Sequence, residues 1–185
     1  NAEDIESPSG WIMLSYVMDP RTGLGRYRDY RISNYQLMED LVEQCRNRQI
    51  DEILQLPDVK ERLDRYEEQT QHFRAMVTQC AHQDANILRI DQREPTEIFA
   101  GNRFVIYTMF PTANISLQIM WGINRQNVVI SGGHSVTNRT SKTDVGRLML
   151  DFGGGGHRQV GTCQVPESDL EASLATIIER IKADG

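Results

Sequence analysis

Cysteine is scarce in this sequence: Cys45, Cys80 and Cys163 are the only three in 185 residues. An odd number at such wide spacing forms neither a disulfide framework nor the close Cys pairs of a zinc site. A reducing, cytoplasmic setting is therefore expected, and the Asn138-Arg139-Thr140 sequon reads as coincidence. Long apolar runs are missing too. None approaches the roughly 18 residues that span a bilayer, so no membrane is expected among the partners. Residues 1–9 are acidic and polar, unlike a secretory signal. Positive charge is in deficit, with 20 Lys and Arg against 26 Asp and Glu and a net charge of −6. That balance argues against loose affinity for long nucleic acid, which grows with the number of phosphates neutralised. It leaves room for a small anionic ligand, which needs only a local cationic patch.

What is present is an unusual stretch, Asp151-Phe152-Gly153-Gly154-Gly155-Gly156-His157-Arg158-Gln159-Val160-Gly161. An apolar helical run (Val145, Leu148, Met149, Phe152) leads into it and a strand-like run (Thr162 to Val165) follows. Glycines pinned between ordered elements let consecutive N–H groups converge on an anion. His157 and Arg158 add one titratable and one permanent cation at the rim. No Lys-Ser or Lys-Thr follows the glycines, which excludes a Walker A loop, and the dinucleotide fingerprint fails on its spacing. The alternative is a plain glycine turn between helix and strand.

Phe152-Gly153-Gly154-Gly155-Gly156-His157, with Gly161 shortly after, resembles the signature of the DHH-associated C-terminal domain, the substrate-binding half of DHH-family phosphoesterases. A second stretch, Leu14-Ser15-Tyr16-Val17-Met18-Asp19-Pro20-Arg21-Thr22-Gly23-Leu24-Gly25-Arg26, resembles the end of the catalytic half in an exopolyphosphatase-related subgroup. The resemblance implies three segments: residues 1–57 as the tail of the catalytic domain, 58–80 as a connecting helix, and 81–185 as the substrate-binding domain. Residues 1–10 read as an arbitrary start, so the expectation is a C-terminal piece of a larger enzyme.

Read along the chain, Trp11 to Met18 is a buried strand or a short buried helix. Arg21, Arg26, Arg28 and Arg31, interleaved with Tyr27 and Tyr30, offer phosphate contacts and base stacking, or else pair with Asp19 and Asp29 in a solvated loop. Ser33 is an N-cap for a helix whose apolar face is Tyr35, Leu37, Met38, Leu41, Val42 and Cys45. A longer helix opens at Pro57 or Asp58 with the stripe Val59, Leu63, Tyr66, Thr70, Phe73, Val77 and Cys80. Residues 85–90 and 103–110 read as strands, 115–121 as a helix capped by Thr112 or Asn114, and 127–131 as a strand. Thr143 or Asp144 starts the helix before the glycines. Ser168 with Glu171 forms a capping box for a last helix with Leu170, Leu174, Ile177, Ile178 and Ile181 on its face. The pattern predicts an α/β (α+β) fold with one mixed sheet flanked by helices.

The candidate substrate-binding residues are Gly153, Gly154, Gly155, Gly156, His157, Arg158, Arg139 and His134. The last two sit in Ser131-Gly-Gly-His134-Ser-Val-Thr-Asn138-Arg139-Thr-Ser-Lys142, which follows a buried strand. The family carries a compact Ser-x-Arg-Ser form there; this longer segment departs from it, and Arg139 is the best match because guanidinium grips phosphate bidentately. The resemblance further implies a carboxylate–histidine cluster holding two metals, commonly manganese, that activate water. Its Asp-x-Asp and Asp-His-His motifs do not occur in these 185 residues, although Asp19 is a candidate for a last metal-ligating aspartate. The expected role is the phosphate- or nucleotide-binding portion of a phosphoesterase, acting with an upstream catalytic domain. Expected substrates are a nucleotide, a short oligonucleotide or polyphosphate, and the chain alone is expected to be inactive. The alternative is a non-catalytic nucleotide- or RNA-binding module using the same loop. The arginine-tyrosine stretch and the long helix are candidate homodimer contacts.

Overall fold

The computed structural model describes residues 2–94 and 97–185. The chain separates into two compact units, Asn1–Met76 with Glu97–Val105, and Val77–Thr96 with Ile106–Gly185. No helix among the described residues is long and apolar enough to cross a membrane.

The first unit is helical, built from α1 (Ala2–Glu6), α2 (Gly10–Met18), α3 (Asn34–Asn47), α4 (Ile50–Leu54) and most of α5 (Pro57–Cys80). The Trp11–Met18 run thus resolves as helix. Ser33 caps α3, its hydroxyl accepting from the Gln36 N–H at 3.1 Å. The apolar face read for α3 divides in two. Leu37 and Leu41 are buried with Leu14, Val17, Ile53 and Val59, whereas Tyr35, Met38, Val42 and Cys45 face solvent. At about 3.6 residues per turn those six positions span more of the circumference than one contact can cover. In α5 the stripe holds: Val59, Tyr66, Phe73 and Val77 are buried. Between them lies a fully buried cation, Arg62. Its guanidinium donates to Asn34 Oδ1 (3.0 Å) and to the carbonyls of Asp58 and Ile32 (2.8 Å each), with the Tyr30 ring centroid 4.1 Å away. Burial pushes its pKa down, and these contacts replace its lost water.

The second unit carries β1 (Ala81–Asp84), β2 (Ile87–Asp91), α6 (Ile106–Met109), β3 (Ile115–Trp121), β4 (Val128–His134), α7 (Val145–Leu150), β5 (Gly155–His157), β6 (Val160–Val165) and α8 (Leu170–Asp184). The strands form one six-stranded sheet in the order β1-β2-β3-β4-β6-β5. Only β2 and β3 are parallel; every other neighbouring pair is antiparallel. The expected α+β class with a mixed sheet is borne out. Its core joins Ile115, Leu117 and Ile119 of β3 to Val145, Leu148 and Met149 of α7, and to Leu170, Leu174, Ile177 and Ile181 of α8.

Three sequence expectations are corrected here. Residues 115–121 are strand, not helix: Ile115, Leu117 and Ile119 alternate with period two, and pairing on both sides outweighs the equally readable i, i+4 spacing. Residues 103–110 are a 3₁₀ turn and α6, not strand. There Asn102 accepts the Phe104 N–H on its side chain (3.0 Å) and the Val105 N–H on its carbonyl (3.0 Å), which bends the chain at once. The Ser168–Glu171 capping box is absent. A 3₁₀ turn, Glu167–Asp169, leads into α8, and the Ser168 hydroxyl donates to Asp169 Oδ1 instead.

The glycine run caps α7 and then becomes β5. Gly153 is left-handed (φ 76°), its N–H donates to the Leu150 carbonyl (3.0 Å) and the Gly154 N–H to the Met149 carbonyl (2.9 Å), which together make a Schellman motif. A Cβ on Gly154 would collide with the Thr162 carbonyl, and one on Gly156 with the Val160 carbonyl. From α7, a Cβ on Gly146 would press into the Gly156 backbone at 2.8 Å. The run therefore lets β5 lie tight against the β6 backbone, while Gly146 and Gly161 let α7 and the hairpin touch backbone to backbone. Nothing stands within 4 Å of a Cβ built on Gly155. In urea denaturation, Gly154→Ala should cost about 3 kcal/mol or more and Gly155→Ala less than about 1 kcal/mol. Equal losses would show that chain entropy, not contact, dictates these glycines.

Candidate functional site

The β5–β6 hairpin turns through Arg158 and Gln159. The turn's backbone is held from both sides: the Arg158 carbonyl accepts from Val145 N–H and the Gln159 carbonyl from His134 N–H, each at 2.9 Å. Asp144 caps α7 at this point, its carboxylate accepting the Arg147 N–H at 3.0 Å. The turn, the end of β4 and the loop after it enclose a cavity of about 350 Å³ lined by His134, Ser135, Val136, Arg139, Ser141, Arg158 and Gln159. No carboxylate lines it. Among the described residues neither Arg139 nor Arg158 forms an ion pair, and Arg139 donates its Nε–H to the Val136 carbonyl at 3.2 Å. His134 Nε2 lies 2.8 Å from the Thr143 carbonyl, which can only accept, so Nε2 carries a hydrogen and donates it there. The Ser141 hydroxyl is buried in the wall with no partner among the described residues. Two unpaired guanidiniums and an orphan hydroxyl make a local anion acceptor on a net-acidic chain.

Three sequence candidates, His134, Arg139 and Arg158, meet in this cavity. His157 is exposed on β5 opposite Val160 and is not among the lining residues. Gly153 and Gly154 use their N–H groups on α7, as described. Of the further residues in the 131–142 segment, Ser131 exchanges a hydrogen bond with Thr162 (3.1 Å) and Asn138 reaches the Thr112 carbonyl (3.3 Å). Ser135, Ser141 and Gln159 went unremarked in the sequence because nothing in their spacing separates them from other loop residues.

The arginine-tyrosine stretch is occupied by its own protein. Arg65 pairs with Asp29 (2.6 Å) and covers the Tyr27 ring at 4.4 Å, while Arg62 covers Tyr30. An arginine thus lies over each ring, and of the pairing expected within residues 19–31 the Asp19–Arg21 pair is observed, whereas Asp29 pairs with Arg65 and Arg31 with Asp58. Asp19 accepts from Arg21 on both oxygens, at 2.8 and 2.9 Å from Nε, and the Arg21 contact holds its carboxyl below the usual range. No three His, Cys, Asp or Glu side chains among the described residues gather to hold a metal ion. The donor set of the described residues does not fit a two-metal centre.

No protein-family model and no curated protein sequence matches the chain. Solved structures do. A pGpG-specific phosphodiesterase, PggH from Vibrio cholerae, is 43% identical with a TM-score of 0.95, covering 100% of this chain and 62% of that one. The DHH domain of a member of the s1p family of ribosomal proteins is 16% identical with a TM-score of 0.50, covering 92% of this chain and 41% of that one, a likeness of fold. The chain thus spans about three-fifths of the length of the phosphodiesterase it matches. The resemblance to the DHH family is borne out.

Asp19 supplies a pH test of the first unit. Its folded pKa is depressed, so the stability it adds is full above its ordinary value of 3.8 and is lost as pH falls through the lower folded value. The stability difference between wild type and Asp19→Asn, from denaturation at stepped pH, should be constant above about pH 5 and shrink below about pH 4. A difference unchanged down to about pH 2 would show that Asp19 is not held by Arg21 in solution.

Proposed function

From this DHH-family kinship we propose that the chain is the substrate-binding portion of a DHH-type phosphoesterase, and that the 134–159 cavity grips a phosphate of a small nucleotide. The observation that carries the reading is the pair of unpaired guanidiniums, Arg139 and Arg158, facing one cavity that has no carboxylate in its wall. Arg139 and Arg158 hold the phosphate oxygens, the Ser141 hydroxyl donates to one of them, and Gln159 and Val136 meet the attached nucleoside. His157, next to Arg158 on the exposed hairpin, is a further phosphate contact, and Gly155 and Gly156 carry it. The pGpG specificity of the phosphodiesterase relative favours a short 5′-phosphorylated oligonucleotide over polyphosphate.

In this reading residues 81–185 are the substrate-binding domain, 58–80 the connecting helix and 1–57 the tail of a catalytic domain. The hydrolytic step belongs to a metal-bearing half with the Asp-x-Asp and Asp-His-His motifs, for which manganese is the expected ion. What the present residues contribute is position and charge. Fixed cations that need no reorganisation as charge develops lower the barrier for a phosphate held in place.

The test is an amide NMR titration with AMP, with adenosine as the phosphate-free control. Shifts should fall on residues 134–141 and 157–159, and adenosine should leave them still. Arg139→Ala or Arg158→Ala should each weaken AMP binding about 10-fold or more, the size of a charge-assisted contact. AMP binding unchanged in both variants would sink the proposal.

A further inference from the structure

Arg139 sits on an exposed loop, and an arginine on a loop loses most of its grip to side-chain entropy unless the backbone beneath it is fixed. Here Asn138 and Thr137 reach the carbonyls of Thr112 and Tyr107 from the middle of the loop, and a single buried residue fixes both of its ends. Asn114, 5% exposed, lies just before β3. Its carbonyl accepts the Ser135 N–H at 2.8 Å, where the loop leaves β4. Its side-chain Nδ2 donates to Thr140 Oγ1 at 3.0 Å, where the loop returns. One residue thus holds both ends of the segment 135–140. Asn114 is itself locked to Asn86, which precedes β2 at the same end of the parallel pair: its N–H donates to the Asn86 carbonyl (3.0 Å) and its Oδ1 accepts from Asn86 Nδ2 (2.8 Å). Within the segment, Ser135 Oγ accepts the Asn138 N–H (2.9 Å), and Thr140 Oγ1 donates to Asn138 Oδ1 (2.8 Å).

We infer that Asn114 is a positioning residue: through Ser135 and Thr140 it holds the loop in the one shape that presents Arg139 to the cavity. This rests on the phosphate reading above. The chemistry at position 114 is demanding. Thr140 spends its hydroxyl hydrogen on Asn138, so it accepts from position 114, while Asn86 needs an acceptor there. Only a side chain with one donor and one acceptor end meets both; aspartate of the same size has no donor.

Thr140 is exposed, so its substitution tests the link without touching the core. In AMP titrations followed by NMR, Thr140→Val should raise Kd roughly threefold to tenfold, the value of one hydrogen bond, with a melting temperature lowered by only about 2–4 °C. Thr140→Ser, which keeps the hydroxyl, should bind as wild type. Without ligand, the order parameter of the Arg139 Nε–H group should fall in Thr140→Val and recover in Thr140→Ser. Asn114→Asp should repeat the valine result if it folds. A Thr140→Val chain with wild-type Kd and order parameter overturns the inference while leaving the phosphate reading intact. An Arg139→Ala chain that binds AMP as wild type overturns the phosphate reading at Arg139, and the positioning role with it.

Discussion

The second unit depends on one contact made without side chains, the lie of α7 against the β5–β6 hairpin. Gly146 on the helix and Gly161 on the hairpin leave no Cβ between the two backbones. That approach brings Val145 N–H within reach of the Arg158 carbonyl and so sets where the turn of the hairpin stands. The turn forms one wall of the cavity, and the loop after β4 forms another. Any Cβ at the contact would push the turn outward and open the cavity. The glycines therefore serve the site by geometry: they are the reason two cations can face one small volume.

The first unit is organised around the opposite solution, a large charged group taken inside. Arg62 is buried on a helix whose other inward residues include Val59, Tyr66, Phe73 and Met76. Its donors reach Asn34, Ile32 and the Asp58 carbonyl, which ties the start of α3, the chain before it and the start of α5 to a single fork of N–H groups. Apolar packing is indifferent to small slips, whereas a planar fork with fixed partners is not. The neighbouring Arg65 closes over Tyr27 and pairs with Asp29, which converts a sequence that looks like a ligand-binding stretch into internal scaffolding.

Much of this was legible beforehand where one signal acted alone. Ser33 and Asp144 as helix caps, the Val59–Val77 stripe and the inward face of α8 all follow from local rules, and the structure agrees with them. Legibility failed where two signals competed. Ile115, Leu117 and Ile119 satisfy a strand, but Ile115 and Ile119 also satisfy a helix, and only the strands on either side decide. Residues 103–110 are rich in strand formers, yet Asn102 turns the chain before a strand can start. The cavity was half visible. Arg139 and Arg158 stand out as cations and His134 as an imidazole beside two glycines, while Ser141 and Asn114 matter through neighbours distant in the chain. No local pattern marks a residue whose partners are long-range.

The hairpin turn has one more consequence. Its two residues are secured through their carbonyl oxygens, a feature every amino acid shares, and their side chains carry no bond that the fold requires. The identity of residues 158 and 159 is thereby uncoupled from folding. Substitution at either position changes what the turn presents to the cavity while leaving in place the backbone bonds that set where the turn stands. The frame is conservative and the two positions at its tip are open to selection.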